Sequence, residues 1–241
     1  MRLLKQLTEQ IDTYADRLSV ARIDAVSSLL RAIQPSGFWG EAAGSSVFLT
    51  FDDGPSPHTT PALLEMLGEA GTKASFFLIG QEAAKYPELV KAIHKGGHAI
   101  GNHSYSHRYL PALRTRDIEF QISHTNEIIS SITGVAPELF RAPFGMMDAR
   151  AASCLNEHKL APVYWTSAPE DWSIPGAERV LRRVDWKLKA GGIIVLHEGK
   201  GLGLQTVQAA KQIIYSCRDK NLVLDRVELC LTLDRQRTTA S

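Results

Sequence analysis

The chain has 241 residues, 44% of them apolar and 22% charged, the makeup of an ordinary globular protein long enough for one large domain. A formal net charge of +1, with Lys and Arg scattered along the chain, argues against a nucleic-acid-binding surface. Cys154, Cys217 and Cys230 are odd in number and widely spaced, which argues against a disulfide framework and for inert, partly buried thiols.

Residues 1–34 read as one amphipathic helix. Leu3, Leu4, Leu7, Ile11, Tyr14, Leu18, Ala21, Val26, Leu29, Leu30 and Ile33 recur at three- and four-residue steps. This stripe is expected to pack on the domain or on a twin subunit, as in a homodimer. Contact with a membrane surface is the alternative, although the polar face is of mixed sign. Lys5, Gln6, Glu9, Gln10 and Asp12 interrupt any secretory signal, and no segment reaches the roughly 18 to 20 apolar residues of a membrane span. The expected location is cytoplasmic, with peripheral membrane attachment left open. "QPSGFWGEAAG" then forms a linker, so that residues 1–44 make an extension and 45–241 the main domain.

Beyond the linker, short apolar runs alternate with helical patterns. The expected strands are 46–51, 73–79, 98–102, 138–142, 161–166, 192–197 and one near 225–233. Between them lie "TPALLEMLGEAG", with Pro61 in its first turn and Gly71 at its end, then "YPELVKAIHKGG", "TRDIEFQISHTNEIISSITG" and "AERVLRRVDWKLKAGG". This alternation, with no hairpin signal, predicts an α/β fold: a closed or nearly closed barrel of about seven parallel strands. No glycine fingerprint follows the first strand, which disfavours a dinucleotide site.

In such a barrel the chemistry collects at the C-terminal ends of the strands. Asp52 and Asp53 follow the first. His103 and His107 follow the third, in "GNHSYSH". Arg141 ends the fourth, Asp171 and Trp172 trail the fifth, and His197 closes the sixth. His103 and His107 stand four apart, so on a helical turn both rings would face one way. With one carboxylate they offer a set for a divalent metal that keeps open positions, which a non-haem iron centre would also use. His94, His98, His124 and His158 read as helix or strand residues, while His58 lies near enough to the aspartates to line the site. Two adjacent carboxylates need cationic partners on both sides.

Taken together, "TFDDGP", "HSYSH", "RAPFG", "EDW" and "IIVLHEG" resemble the polysaccharide deacetylases of carbohydrate esterase family 4, over about residues 46–233. The resemblance implies a distorted (β/α) barrel with one divalent metal, commonly zinc, with cobalt, nickel or manganese as alternatives. Residue by residue, it implies Asp53, His103 and His107 as metal ligands and Asp52 as general base, held by Arg141. It implies His197 as general acid, paired with Asp171. The Phe144 N–H would help to hold the oxyanion, and Trp172 and Leu196 would wall a pocket for the acetyl methyl. Ala142 and Phe144 depart from the family's usual proline and tyrosine, which touches substrate contacts rather than the backbone donor. The implied substrate is an acetylated amino-sugar oligomer or polymer. An O-acetylated polysaccharide, a formylated lipid-linked amino sugar and mere sugar binding are the rivals.

Overall fold

The computed structural model describes residues 2–34, 37–40, 45–199, 201–202 and 204–228, with side chains from residue 10 onward. Its centre is a seven-stranded sheet in which every pairing is parallel. The strands are β1 (Ser46–Gly54), β2 (Ser75–Leu78), β3 (Ala99–Asn102), β4 (Leu139–Phe140), β5 (Ala161–Pro162), β6 (Ile193–His197) and β7 (Val223–Asp225). They run in the order β5-β4-β3-β2-β1-β6, and β7 pairs with the first residues of β1.

Period-two alternation sorts the apolar side chains into two layers. Val47, Leu49, Phe51, Phe76, Leu78, Ile194 and Leu196 pack with the apolar faces of the helices. Phe48, Phe77, Leu139, Val163 and Ile193 form a separate cluster on the other face of the strands. The outer helices include α2 (Thr60–Glu69), α3 (Gly80–Lys85), α4 (Pro87–Lys95), α5 (Thr115–Thr133), α6 (Ala149–Glu157), α7 (Ala177–Asp185) and α8 (Gln205–Asp219). Pro61 sits in the first turn of α2, and α5 ends at Gly134 in the left-handed region (φ 76°), the conformation glycine adopts most cheaply.

The barrel closes irregularly. A strand was expected over 161–166, but only Ala161 and Pro162 are regular. The carbonyls of Val163 and Tyr164 are diverted to the Arg141 guanidinium (3.3 and 3.1 Å), and Phe38 supplies the ladder partner on the other side. A single bridge, Ser167 to Ile194, then joins this segment to β6. The last strand also starts earlier than expected. Val223 N–H bonds to Ser45 O (2.9 Å), which fixes β7 over Val223–Asp225, and residues 229–233 lie outside the described residues.

The N-terminal helix α1 (Arg2–Ile33) docks on the barrel by its polar side, contrary to the expectation from its apolar stripe. Asp16 is fully buried between Arg179, Arg182 and Arg183, each at 2.9 Å, and Asp24 pairs with Lys187 at 2.6 Å. The reason is the basic outer face of α7, which selects the acidic side of α1. Only at the C-terminal end does apolar packing take over, where Leu30 is buried and Trp39 stacks on Tyr164 at 4.1 Å. Over its described side chains, residues 10–34 and 37–40, this segment thus packs against the barrel.

A buried carboxylate held by three guanidinium groups leaves uncompensated cations when it is removed. Asp16→Ala is expected to lower the unfolding free energy by about 3–5 kcal/mol, read from urea denaturation followed by circular dichroism. A change below 1 kcal/mol, roughly that of an exposed pair, would mean that the contact is marginal in solution.

Candidate active site

Alternation along β1 would point Asp52 and Asp53 to opposite faces. The register of β1 against β2 shifts between Asp52 and Gly54, and Asp53 takes a left-handed conformation (φ 69°). This bulge re-aims the second carboxylate. As a result His103 Nε2 lies 3.9 Å from Asp52 Oδ2 and 3.4 Å from Asp53 Oδ1.

Asp52 is held from behind. Arg141, fully buried on the ring of Phe77, donates from Nη1 to Asp52 Oδ1 at 2.7 Å and to Thr50 Oγ1 at 2.7 Å. Oδ1 is thereby fixed, and Oδ2 turns toward the histidines.

The expectation of a helical turn for His103 and His107 does not hold. The segment is a loop with Ser104 and His107 in the left-handed region. Asn102 accepts from Ser104 N–H (2.7 Å), and Gln121 on α5 accepts from Ser106 N–H (2.9 Å). The fold of this loop, rather than helical periodicity, brings the two rings to a centroid distance of 4.9 Å. His103 Nδ1 bonds to the Arg141 carbonyl at 2.7 Å, which orients Nε2 toward Asp53. His107 Nε2 lies 3.3 Å from the same Asp53 oxygen.

The donor atoms of Asp53, His103 and His107 all lie within 4.8 Å of one another. Asp53 Oδ1 is buried without a hydrogen-bond partner. An orphaned carboxylate oxygen facing two imidazole nitrogens fits a divalent cation. Burial works against its ionisation, yet His103, His197 and His107 together pull the Asp53 carboxyl down to about 2. A second donor group, Glu119 with Cys154 and His158, is already satisfied internally at 2.9 and 2.7 Å, and burial pushes the Cys154 thiol up to about 12.

His197 stands across the site at the end of β6, in register with Asp52. Asp171, fully buried, accepts from His197 Nδ1 at 2.9 Å and from its backbone N–H at 2.7 Å. Burial opposes the imidazolium, but Asp171 and the two aspartates of β1 raise the ring to about 9. Trp172 meets His197 edge-on at 5.0 Å. Phe144 lies in a short turn at φ 59°, with its ring 4.9 Å from His107.

Leu196 does not belong with these. It is fully buried in the layer between sheet and helices, because it alternates with His197 along β6. Val195, paired with Thr50, is the β6 residue that shares the face of His197. The cleft, about 600 Å³, is lined by Asp53, His58, His107, Trp172, His197 and Glu198 together with loop residues.

Glu198 was not singled out from the sequence. It is buried beside Thr59 and Thr60, its N–H bonds to Asp52 O (2.8 Å), and burial raises its carboxyl to about 7. The signal available was an acid directly after the strand-terminal His197. Asn102 and Glu170, which brace neighbouring loops, lie within "GNHSYSH" and "EDW" but carried no role of their own in the sequence.

With this geometry in view, the comparisons are specific. The polysaccharide deacetylase family model matches residues 40–163. The chitooligosaccharide deacetylase of Azorhizobium caulinodans is 33% identical over 192 residues, which cover 75% of this chain and 91% of that protein. A peptidoglycan N-acetylglucosamine deacetylase, solved with a substituted N-oxidanyl-benzamide, superposes with a TM-score of 0.76 at 32% identity, covering 79% of this chain and 90% of that one. A pseudoenzyme of carbohydrate esterase family 4 from Bacillus anthracis superposes at 0.74 with 25% identity, covering 79% of this chain and 66% of that one. With half its length matched by the family model and a relative of 33% identity covered over 91% of its length, the chain belongs to the polysaccharide deacetylase family.

Proposed function

We propose that this chain removes N-acetyl groups from oligo- or polysaccharides containing N-acetylglucosamine. A pseudoenzyme among its relatives means that the fold alone does not carry this reading. What carries it is the placement of two carboxylates, two histidine ligands and a carboxylate-paired His197 around one cleft.

Asp53, His103 and His107 would hold the cation. A divalent metal there supplies Lewis acidity, polarising the acyl carbonyl and acidifying water from a pKa of 15.7 to about 7. Zinc suits this nitrogen and oxygen donor set, and cobalt, nickel and manganese are alternatives.

Asp52 takes the proton of the attacking water through Oδ2, while Arg141 keeps its other oxygen engaged. The Phe144 N–H would steady the developing oxyanion, a contribution typically worth about 10²- to 10³-fold. His197 enters protonated, held so by Asp171, and delivers its proton to the departing amine. Trp172 on the cleft wall, with Val195 on the same face of β6 as His197, would bound the space left for the acetyl methyl.

The substrate assignment is tested with a panel. N-acetylglucosamine oligomers, acetylated xylan and an N-formyl amino sugar are incubated with the metal-loaded protein, and acetate and formate are quantified. Acetate from the amino-sugar oligomers is the expected product. Release confined to xylan or to the formylated sugar would move the assignment to O-acetyl or formyl groups.

A further inference from the structure

Glu198 takes no step in the reaction set out above, yet it is only 2% exposed and lies against the cleft. One of its oxygens, Oε1, is buried with no hydrogen-bond partner. An acid kept in such a place is costly. The other oxygen, Oε2, accepts from Thr59 Oγ1 at 3.1 Å and from Thr60 Oγ1. Thr60 Oγ1 in turn accepts from Ser56 N–H at 2.8 Å. The side chain therefore ties the end of β6 to the loop that follows β1 and to the first residue of α2.

That tie crosses the bulge of β1. A methyl built on Gly54 would overlap Glu198 Oε1. Gly54 is not in the left-handed region, so this contact, and not the backbone angle, is what a side chain there would violate. The bulge itself is pinned on both sides: Glu198 N–H bonds to Asp52 O at 2.8 Å, and Ile79 N–H bonds to Gly54 O at 2.9 Å. Asp53 stands between these anchors at φ 69°, with Oδ1 turned to His103 and His107. Glu198 thus supplies one anchor with its backbone and walls the other with its side chain.

We propose that Glu198 is a positioning residue for the metal site: wedged on Gly54 and tied to Thr59 and Thr60, it keeps the β1 bulge in the turn that aims Asp53 at the two histidines. It lies outside the donor set of Asp53, His103 and His107, so it acts through Asp53 and not as a ligand. The proposal rests on the reading of Asp53 as a metal ligand and is independent of which acyl group is removed.

Zinc competition against a chromogenic chelator, on the metal-stripped full chain, tests it, with urea unfolding of the same metal-free samples. Glu198→Met fills the space but cannot accept from the threonines. Its zinc affinity is expected to fall about 10- to 100-fold, the usual effect of losing a group that orients a ligand. Its urea midpoint should not fall, because an apolar side chain of similar volume replaces a buried acid with an unpartnered oxygen. Glu198→Gln keeps an acceptor for the threonines and should bind zinc as the wild type does. A second route leaves Glu198 in place: Gly54→Ala should weaken zinc binding on its own and add nothing once Glu198→Ala has removed the side chain it meets.

Wild-type zinc affinity in Glu198→Met would overturn the proposal, as would equal effects of Gly54→Ala in both backgrounds. Loss of affinity together with a lower urea midpoint would make Glu198 a structural group. A Gln variant as weak as the Met variant would make its charge, and not its reach, the operative feature. Wild-type protein that binds no zinc would instead overturn the reading of Asp53 as a ligand, and the proposal with it.

Discussion

Asp52→Asn is expected to lose turnover by about 10²- to 10⁴-fold, the range of general-base assistance, while the metal content stays that of the wild type. The amide occupies the same volume and its oxygen still accepts from Arg141, whose remaining bonds run to Thr50, Val163 and Tyr164. What it cannot do is take a proton. Elemental analysis and acetate release on the same sample separate the two effects. An active variant would show that another group serves as base, and loss of metal would make Asp52 a ligand.

Asp171→Asn should move the alkaline limb of the kcat–pH profile to lower pH. As the proposed general acid His197 would have to be protonated, and the charges of Asp171, Asp52 and Asp53 raise its ring to about 9 against the pull of burial. Activity is therefore expected to be retained below that value and lost as pH rises through it. Without the Asp171 charge the ring falls back toward the ordinary histidine value of about 6.5, and burial pushes it the same way. Linkage has the same sign: the Asp171–His197 pair stabilises the fold fully below about 6.5 and ceases to do so as pH rises through about 9. An unmoved alkaline limb would mean that His197 is not the acid. A limb that moves together with a fall in metal content would place Asp171 in holding the metal site instead.

The barrel and the rim were legible in the sequence because strand ends repeat one local event, an apolar run followed by a polar residue. Asp52, Arg141 and His197 all follow that rule and are found at the ends of their strands, whereas Asp171 lies well beyond the short β5, in a helical turn over Asp171–Ser173 that brings it to His197. Three kinds of feature were not legible. Backbone departures come first: the bulge that turns Asp53 beside Asp52, and the left-handed Ser104 and His107 that replace a helical turn, have no periodicity to read. Then comes strand phase. Leu196 and Val195 differ by one position, and one position is the whole difference between the helix layer and the face of β6 that carries His197. The third is partner choice. The stripe of α1 was plain, but which side faces the barrel depended on Arg179, Arg182, Arg183 and Lys187, far along the chain.

The central claim is that Asp53, His103 and His107 hold a metal with which Asp52 and His197 hydrolyse an acetamido group. Acetate release from N-acetylglucosamine oligomers, measured on protein as purified, after chelation, and after stepwise return of zinc, tests it most directly. Release that vanishes on chelation and returns in proportion to one bound zinc per chain is the predicted result. Release that survives complete removal of the metal, or a fully metal-loaded protein that frees no acetate from any oligomer, would contradict it.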